Sequence, residues 1–134
     1  MSKLAEIFNR IPFIKDVGIE LTDVQPGRGR LELDISPRHL NGLGAVHGGV
    51  TMTVLDVAMA IAARSLEPDG DGVVTVEMKC SFMQAGPPKG RLLAAGTCVH
   101  KSSTMAFCEA EIRDEADRLL ARAMGTFKYV RPGA

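Results

Sequence analysis

Asn41, His47, Gly48, Gly49 and Asp56 stand close together in the chain, in Asn41-Gly-Leu-Gly-Ala-Val-His47-Gly48-Gly49 followed by an apolar run whose first charge is Asp56. Together they offer an amide, an imidazole, backbone N–H groups with no side chain in front of them, and a carboxylate, which are parts for chemistry at a carbonyl. From Val50 to Ala63 the run reads Val-Thr-Met-Thr-Val-Leu-Asp-Val-Ala-Met-Ala-Ile-Ala-Ala. It is too long for an ordinary strand, rich in alanine and apolar on nearly every face, so it predicts a buried central helix. A helix starting at Gly48-Gly49 leaves its first N–H groups without intrahelical acceptors, at the positive end of its dipole. Such a terminus can hold a developing oxyanion, and the two glycines let a ligand carbonyl approach the backbone. A carboxylate in an apolar helix loses hydration and is retained where a hydrogen bond or its charge has a use. Asp56 therefore reads as a base or nucleophile, or else as an acid that caps a nearby backbone group.

Spacing constrains how these groups cooperate. Gly48 and Asp56 are eight residues apart, ~12 Å along one helix, so one carbonyl cannot touch both in the same chain. A shared site in a two-fold dimer, with the helices crossing antiparallel, resolves this. His47 has two readings, a proton-transfer group or a residue that fixes the loop before the helix. Asn41 is either a turn residue in Asn-Gly or a group that orients a substrate.

The elements that must position these groups follow from periodicity. Leu4, Ile7, Phe8 and Ile11 recur at helical spacing until Pro12, which predicts a short amphipathic helix acting as a lid or packing element. Ile14 to Val24 and Arg30 to Ser36 read as strands around Gln-Pro-Gly-Arg-Gly, and Pro37 to Gly44 reads as a loop. After Gly72, Val74, Val76, Met78, Cys80 and Phe82 alternate with Thr75, Glu77, Lys79 and Ser81, a period of two that places Thr75 on the polar face. Further strands are expected over 91–101, 104–113 and 119–130, the last two joined by a tight turn at Asp114-Glu-Ala-Asp. One helix enclosed by about five antiparallel strands is an α+β architecture in a single domain, 1–134.

Lys+Arg and Asp+Glu are 16 each, aromatic residues are few and Trp is absent, so nucleic acid is not an expected partner. Three widely spaced cysteines, Cys80, Cys98 and Cys108, suit buried thiols in a reducing compartment. No metal is implied. The charges at Lys3, Glu6 and Arg10 are unlike a signal peptide, and Asp56 interrupts the one long apolar run, so neither export nor membrane insertion is expected and the cytoplasm is the default location.

With Thr75-Val-Glu-Met and the Ser81-Phe82 strand added, Asn41, His47-Gly48-Gly49 and Asp56 resemble the hotdog-fold acyl-CoA thioesterases of the phenylacetate-degradation (PaaI-like) type. The resemblance covers most of the chain. It implies a hotdog fold, an aryl- or medium-chain acyl-CoA substrate with CoA as its leaving group, no other cofactor, and a homodimer or dimer of dimers. It further implies Asp56 as base or nucleophile, the Gly48 N–H polarising the carbonyl, Asn41 orienting the thioester and a Thr75 hydroxyl placing water. Relatives often carry a glycine and a basic residue where Ser102 and Ser103 stand, so phosphate binding beside those serines is expected to fall to Lys101, Lys89 or Arg91, or to be weaker. Gln84-Ala85 also departs from the basic residue and proline of many relatives. Ser102 and Ser103 lack the Gly-x-Ser-x-Gly elbow of a nucleophile. Met52, Met59, Met78, Met83 and Met105 read as core filling or an acyl lining. An acyl-CoA sensor is one alternative, although it would not need the carboxylate. A hydroxyacyl-thioester dehydratase using His47 is the other.

Overall fold

The computed structural model describes residues 3–133. Helix α1 (Lys3–Asn9) buries Leu4, Ala5 and Phe8, as its spacing predicts. The chain then differs from expectation: Pro12–Val17 is a second helix, α2, and not the start of a strand. Pro12 occupies its first turn, where a missing N–H costs nothing and φ is already helical. Ile14 and Val17 are three apart, which suits a helix, whereas Ile19 and Leu21 are two apart, which suits a strand. Gly18 separates the two patterns in the left-handed region, φ 89°, with its N–H donating to the Ile14 carbonyl.

Strands β1 (Ile19–Gln25), β2 (Arg28–Ile35), β3 (Val73–Phe82), β4 (Gly90–Lys101), β5 (Met105–Arg113) and β6 (Leu119–Tyr129) form one antiparallel sheet in the order β1-β2-β4-β5-β6-β3. The expected count of about five is thus six, and the long segment Pro37 to Gly44 contains one 3-10 turn, Pro37–His39. The sheet wraps helix α3 (Gly48–Arg64), giving the hotdog arrangement. Gly96 on β4 sets the depth of that packing, because a Cβ there would lie 2.2 Å from the Ala58 carbonyl oxygen. Thr51, Val54, Leu55, Ala58, Met59, Ile61, Ala62 and Ala63 are buried against the sheet.

Burial of α3 is not all-round, as its composition suggested. Met52 is exposed, and Thr53, Asp56, Val57, Ala60 and Arg64 are half-buried, a stripe at i, i+4 and i+8 that the sheet leaves only partly covered. Strand β3 also departs from simple alternation. Thr75 pairs with Phe127 and Glu77 with Thr126, so Val76 is an extra residue in a bulge. One extra residue reverses the facing of everything on one side of it. Thr75 therefore shares the helix-facing side with Met78, Cys80 and Phe82, while Val74 and Val76 are about half exposed, at 52% and 51%.

The carboxyl end of α3 is closed by long-range contacts. Tyr129 Oη–H donates to the Ala63 carbonyl at 2.7 Å, and Ser65 Oγ accepts from Gly27 N–H at 2.9 Å. Glu67 receives Arg131 through two hydrogen bonds and Lys101 through an ion pair at 2.9 Å, while Lys101 lies 4.8 Å above the Tyr129 ring. The hydrogen bond from Arg131, with Lys101 assisting and burial opposing, brings the Glu67 carboxyl down to about 2 from 4.5. Because the folded value is depressed, this contribution to stability is complete above the unfolded value and disappears as pH falls toward about 2. Glu67→Gln is expected to cost about 1–2 kcal/mol at neutral pH and to flatten the acid limb of stability in that window, as measured by urea unfolding across pH.

Candidate active site

Helix α3 begins with four N–H groups that have no i−4 acceptor in the helix, those of His47, Gly48, Gly49 and Val50, and His47 takes two of them. Its carbonyl accepts from Val50 at 3.0 Å and Thr51 at 3.2 Å, and its ring Nδ1 accepts from Gly49 at 2.8 Å. Gly48 N–H alone has no acceptor among the described residues. The His47 ring is thereby assigned to capping, through the unprotonated nitrogen, and Gly49, expected beside Gly48 at a ligand, gives its N–H to that cap. A Cβ on Gly49 would come within 3.1 Å of Nδ1, so glycine here serves the cap.

The loop before the helix is held by two side chains. Asn41 Oδ1 accepts from Leu43 at 2.9 Å and Ala45 at 3.1 Å, which orients its amide nitrogen outward with no acceptor among the described residues. The turn reading of Asn41 is thus met by its Oδ1, and its amide nitrogen is left exposed to the cavity beside it. His39, 2% exposed, was not singled out in the sequence. Its Nδ1 accepts from Ser36 N–H and its Nε2–H donates to the Val17 carbonyl at 2.6 Å, while its own carbonyl accepts from His47 N–H at 2.8 Å. It therefore ties α2, the loop and the α3 start together. No periodicity marks it; the signal is the Pro-Arg-His turn itself. Asn41 and Gly48 open into a cavity of about 280 Å³ whose other walls include Thr51, Phe82, Gln84 and Leu120.

Asp56 lies on the open stripe of α3, beside the inner face of β3. The bulge at Val76 turns Thr75 toward it, and Thr75 Oγ–H donates to Asp56 Oδ1 at 2.7 Å. Its other carboxylate oxygen has no partner among the described residues, so one oxygen is oriented and the other is available to a proton or a substrate. The Cys80 thiol on the same face is pushed up by burial and by the Asp56 charge. Gly48 and Asp56 belong to the same helix, ~12 Å apart along its axis. One chain therefore presents a donor end and a carboxylate too far apart for one carbonyl to touch both.

The expected phosphate contacts are differently disposed. Lys101 is engaged with Glu67, and Arg91 lies among Glu20, Glu32 and Asp34 at 3.5, 3.0 and 2.8 Å. Both cations are thus paired with carboxylates of the chain. Ser102 Oγ accepts from Met105 N–H at 3.0 Å and shapes the β4–β5 turn, and the Ser103 carbonyl accepts from Arg131. Lys89 is exposed, with no ion pair among the described residues. Lys101, Ser102 and Ser103 lie where α3 ends, Lys89 and Arg91 where β4 begins, so the chain does not bring the five together. Gln84 lines the Gly48 cavity and accepts from Arg118 at 3.4 Å, an arginine the sequence did not single out. Among the described residues no cluster of His, Cys, Asp or Glu could hold a metal ion, and no helix is long and apolar enough to cross a membrane.

A sequence model of the thioesterase superfamily matches residues 43–121, a span that includes Gly48 and Asp56. A 1,4-dihydroxy-2-naphthoyl-CoA hydrolase of Listeria monocytogenes is 30% identical over 105 residues, 78% of this chain and 84% of that protein. Among solved structures, the E. coli PaaI protein from the phenylacetic acid degradation operon superposes with a TM-score of 0.87 at 21% identity, over 94% of this chain and 89% of that one. A Streptococcus mutans protein solved with acetyl CoA gives 0.78 at 21% identity, over 84% and 89%.

Gly48→Pro isolates the unpaired N–H. Proline is accommodated in the first helical position, where its missing donor leaves no internal bond unmade, and His47 at ψ 136° has the extended backbone that precedes proline. Only the Phe82 ring lies near a Cβ at this position, at 3.7 Å. The variant is expected to keep its Tm within a few degrees and to lose about 10²–10³-fold in thioester turnover, read by calorimetry beside steady-state kinetics.

Proposed function

This chain belongs to the thioesterase superfamily and is a thioester hydrolase, and from that premise we propose that it hydrolyses aryl- or medium-chain acyl-CoA to the free acid and CoA at a site shared by two subunits. The observation that carries the reading is the single unpartnered N–H at Gly48, facing a cavity it shares with the Asn41 amide. Donors so placed stabilise the charge that develops on a carbonyl oxygen during attack. Asp56, held by Thr75, supplies the complementary function. As a general base it takes the proton from a water as the water oxygen bonds to the thioester carbon. The tetrahedral oxyanion rests on the Gly48 N–H, and collapse breaks the C–S bond and releases the CoA thiolate, which takes up a proton. Direct attack by Asp56, with hydrolysis of the resulting anhydride, uses the same groups.

A second copy completes the site. Strand β3 is an edge of the sheet with ten residues, Val73–Phe82, whose outer edge pairs with no strand among the described residues, an arrangement that favours strand pairing with another molecule. Beside it runs the open stripe of α3. A copy laid antiparallel against both about a two-fold axis brings the Gly48 end of one α3 toward Asp56 of the other. The naphthoyl-CoA specificity of the Listeria relative supports an aryl substrate here, and the acetyl CoA in the Streptococcus protein supports CoA thioesters in general.

Thiol release from phenylacetyl-, hydroxybenzoyl- and straight-chain acyl-CoA, with wild type beside Asp56→Asn, tests this reading. Release by wild type is expected to fall about 10²–10⁴-fold in the variant while substrate binding persists. Equal rates for the two proteins would remove Asp56 from the chemistry.

A further inference from the structure

Among the described residues three polar side chains are buried, His39, Thr51 and Asp114. Two of them are bonded within the chain. His39 uses both ring nitrogens, and Asp114 accepts the N–H groups of Ala116 and Arg118 on Oδ1 and the Arg118 guanidinium on Oδ2. Thr51, 8% exposed, carries a hydroxyl with no partner among the described residues. A helical threonine commonly bonds back to the carbonyl four residues before it, as Thr53 does to Gly49 at 2.8 Å. For Thr51 that carbonyl belongs to His47, which already accepts the N–H groups of Val50 and of Thr51 itself. Thr51 instead lines the cavity into which Gly48 and Asn41 open. We infer that the Thr51 hydroxyl is a further donor to the thioester carbonyl oxygen, acting beside the Gly48 N–H and the Asn41 amide as the oxyanion forms. The inference rests on the reading of Gly48 as the oxyanion donor and adds a side chain to it.

Position and surroundings both support it. Gly48 and Thr51 are three residues apart, ~4.5 Å along the axis, and so share one face of α3. A helical side chain leans toward the amino terminus, over the turn before it, which carries the hydroxyl toward the Gly48 N–H. No side chain other than Phe82 comes within 4 Å of a Cβ at Gly48, so the space in front of that N–H is left for a ligand atom. The rest of the wall decides which atom fits. Val46, Phe82, Met83 and Leu120 are apolar, and no charged side chain among the described residues lines the cavity. Gln84, the other amide there, is engaged, donating to the Leu119 carbonyl at 2.8 Å and accepting from Arg118. An amide, a backbone N–H and a hydroxyl therefore face the space with no carboxylate to receive them. Their complement is an uncharged acceptor that gains negative charge, as a carbonyl oxygen does under attack. In apolar surroundings each such bond is stronger than in water.

The test joins kinetics to a spectroscopic readout. Hydrolysis of phenylacetyl-CoA is compared in wild type, Thr51→Val and Thr51→Ser, with Tm from calorimetry. Thr51→Val keeps the shape of the side chain and removes its hydroxyl. Its kcat is expected to fall about 10–10²-fold with KM within about three-fold of wild type. Its Tm is expected to be unchanged or raised, because the lost hydroxyl makes no bond within the chain. Thr51→Ser, which returns the hydroxyl, is expected to recover most of the loss. In Asp56→Asn, the infrared stretch of phenylacetyl-CoA labelled with carbon-13 at the carbonyl is expected to move to lower frequency on binding, and adding Thr51→Val to reverse part of that shift. A kcat for Thr51→Val within about two-fold of wild type overturns the inference. So does a loss that Thr51→Ser fails to recover, or one accompanied by a lowered Tm, since either assigns Thr51 to packing. If Thr51→Val does not fold, Thr51→Ala removes the hydroxyl and is judged by the same rates and the same stretch. The infrared readout separates the two ideas. A carbonyl shift that depends on Thr51, without hydrolysis by wild type, rejects thioester hydrolysis alone. Hydrolysis and a carbonyl shift that are both indifferent to Thr51 reject the hydroxyl donor alone, and the absence of any shift rejects both.

Discussion

The depth at which α3 lies in the sheet is set by one contact between backbones, Gly96 of β4 against the Ala58 carbonyl, where a Cβ would stand at 2.2 Å. A helix seated that closely cannot rotate without driving larger side chains into the strands, since interiors are close-packed. Rotation is therefore fixed by Ala58 and Ala62 on one side and Leu55 and Met59 on the other. The consequence is that Met52, Asp56, Val57 and Ala60 are held on the face the sheet leaves only partly covered. A candidate catalytic carboxylate and a surface for a second subunit both follow from where this one helix is forced to turn.

Within that frame the donor end of the helix is specialised by subtraction. Two of its four free N–H groups, those of Gly49 and Val50, are taken by the ring and the carbonyl of His47, and that of His47 itself by the His39 carbonyl. The remaining one belongs to a glycine that opens on a cavity. His39 fixes the loop that delivers this end, with both ring nitrogens used and its carbonyl joined to His47. His47, which the sequence offered either as a proton-transfer group or as a residue fixing the loop, caps the helix, and a second histidine, overlooked, acts as a clamp. The leaving group explains why so few groups suffice: a thiolate departs more easily than an alkoxide or an amide nitrogen, so the protein need only stabilise an oxyanion and present a base.

Local features were legible from the residues. The Gly48-Gly49 start, the position of Asp56, the strands after Gly90 and the turn at Asp114 each depend on neighbours in the chain, and their periodicities survive folding. What was not legible depends on partners far away. The bulge at Val76 is invisible in a segment that alternates evenly on paper, because it is defined by the register with β6, yet it alone brings Thr75 to Asp56. The helix from Pro12 was hidden because Ile14, Val17 and Ile19 suit two periods, and Gly18 decides where one ends. Lys101 and Arg91 look like free cations until Glu67 and the carboxylates of β1 and β2 are folded against them. Charge in sequence carries no record of which acid will neutralise it.

The central claim is that the Gly48 N–H of one subunit and the Asp56 carboxylate of the other serve one thioester. The most direct measurement is thioester hydrolysis by a mixture of Gly48→Pro and Asp56→Ala chains, each inactive alone, after subunit exchange has been confirmed by mass. In equal mixture about half of the dimers are mixed and each of these has one intact site of two, so activity is predicted to return to about a quarter of the wild-type value. No recovery despite exchange would place both groups of a site in the same chain, or one of them outside it, and would contradict the shared-site account.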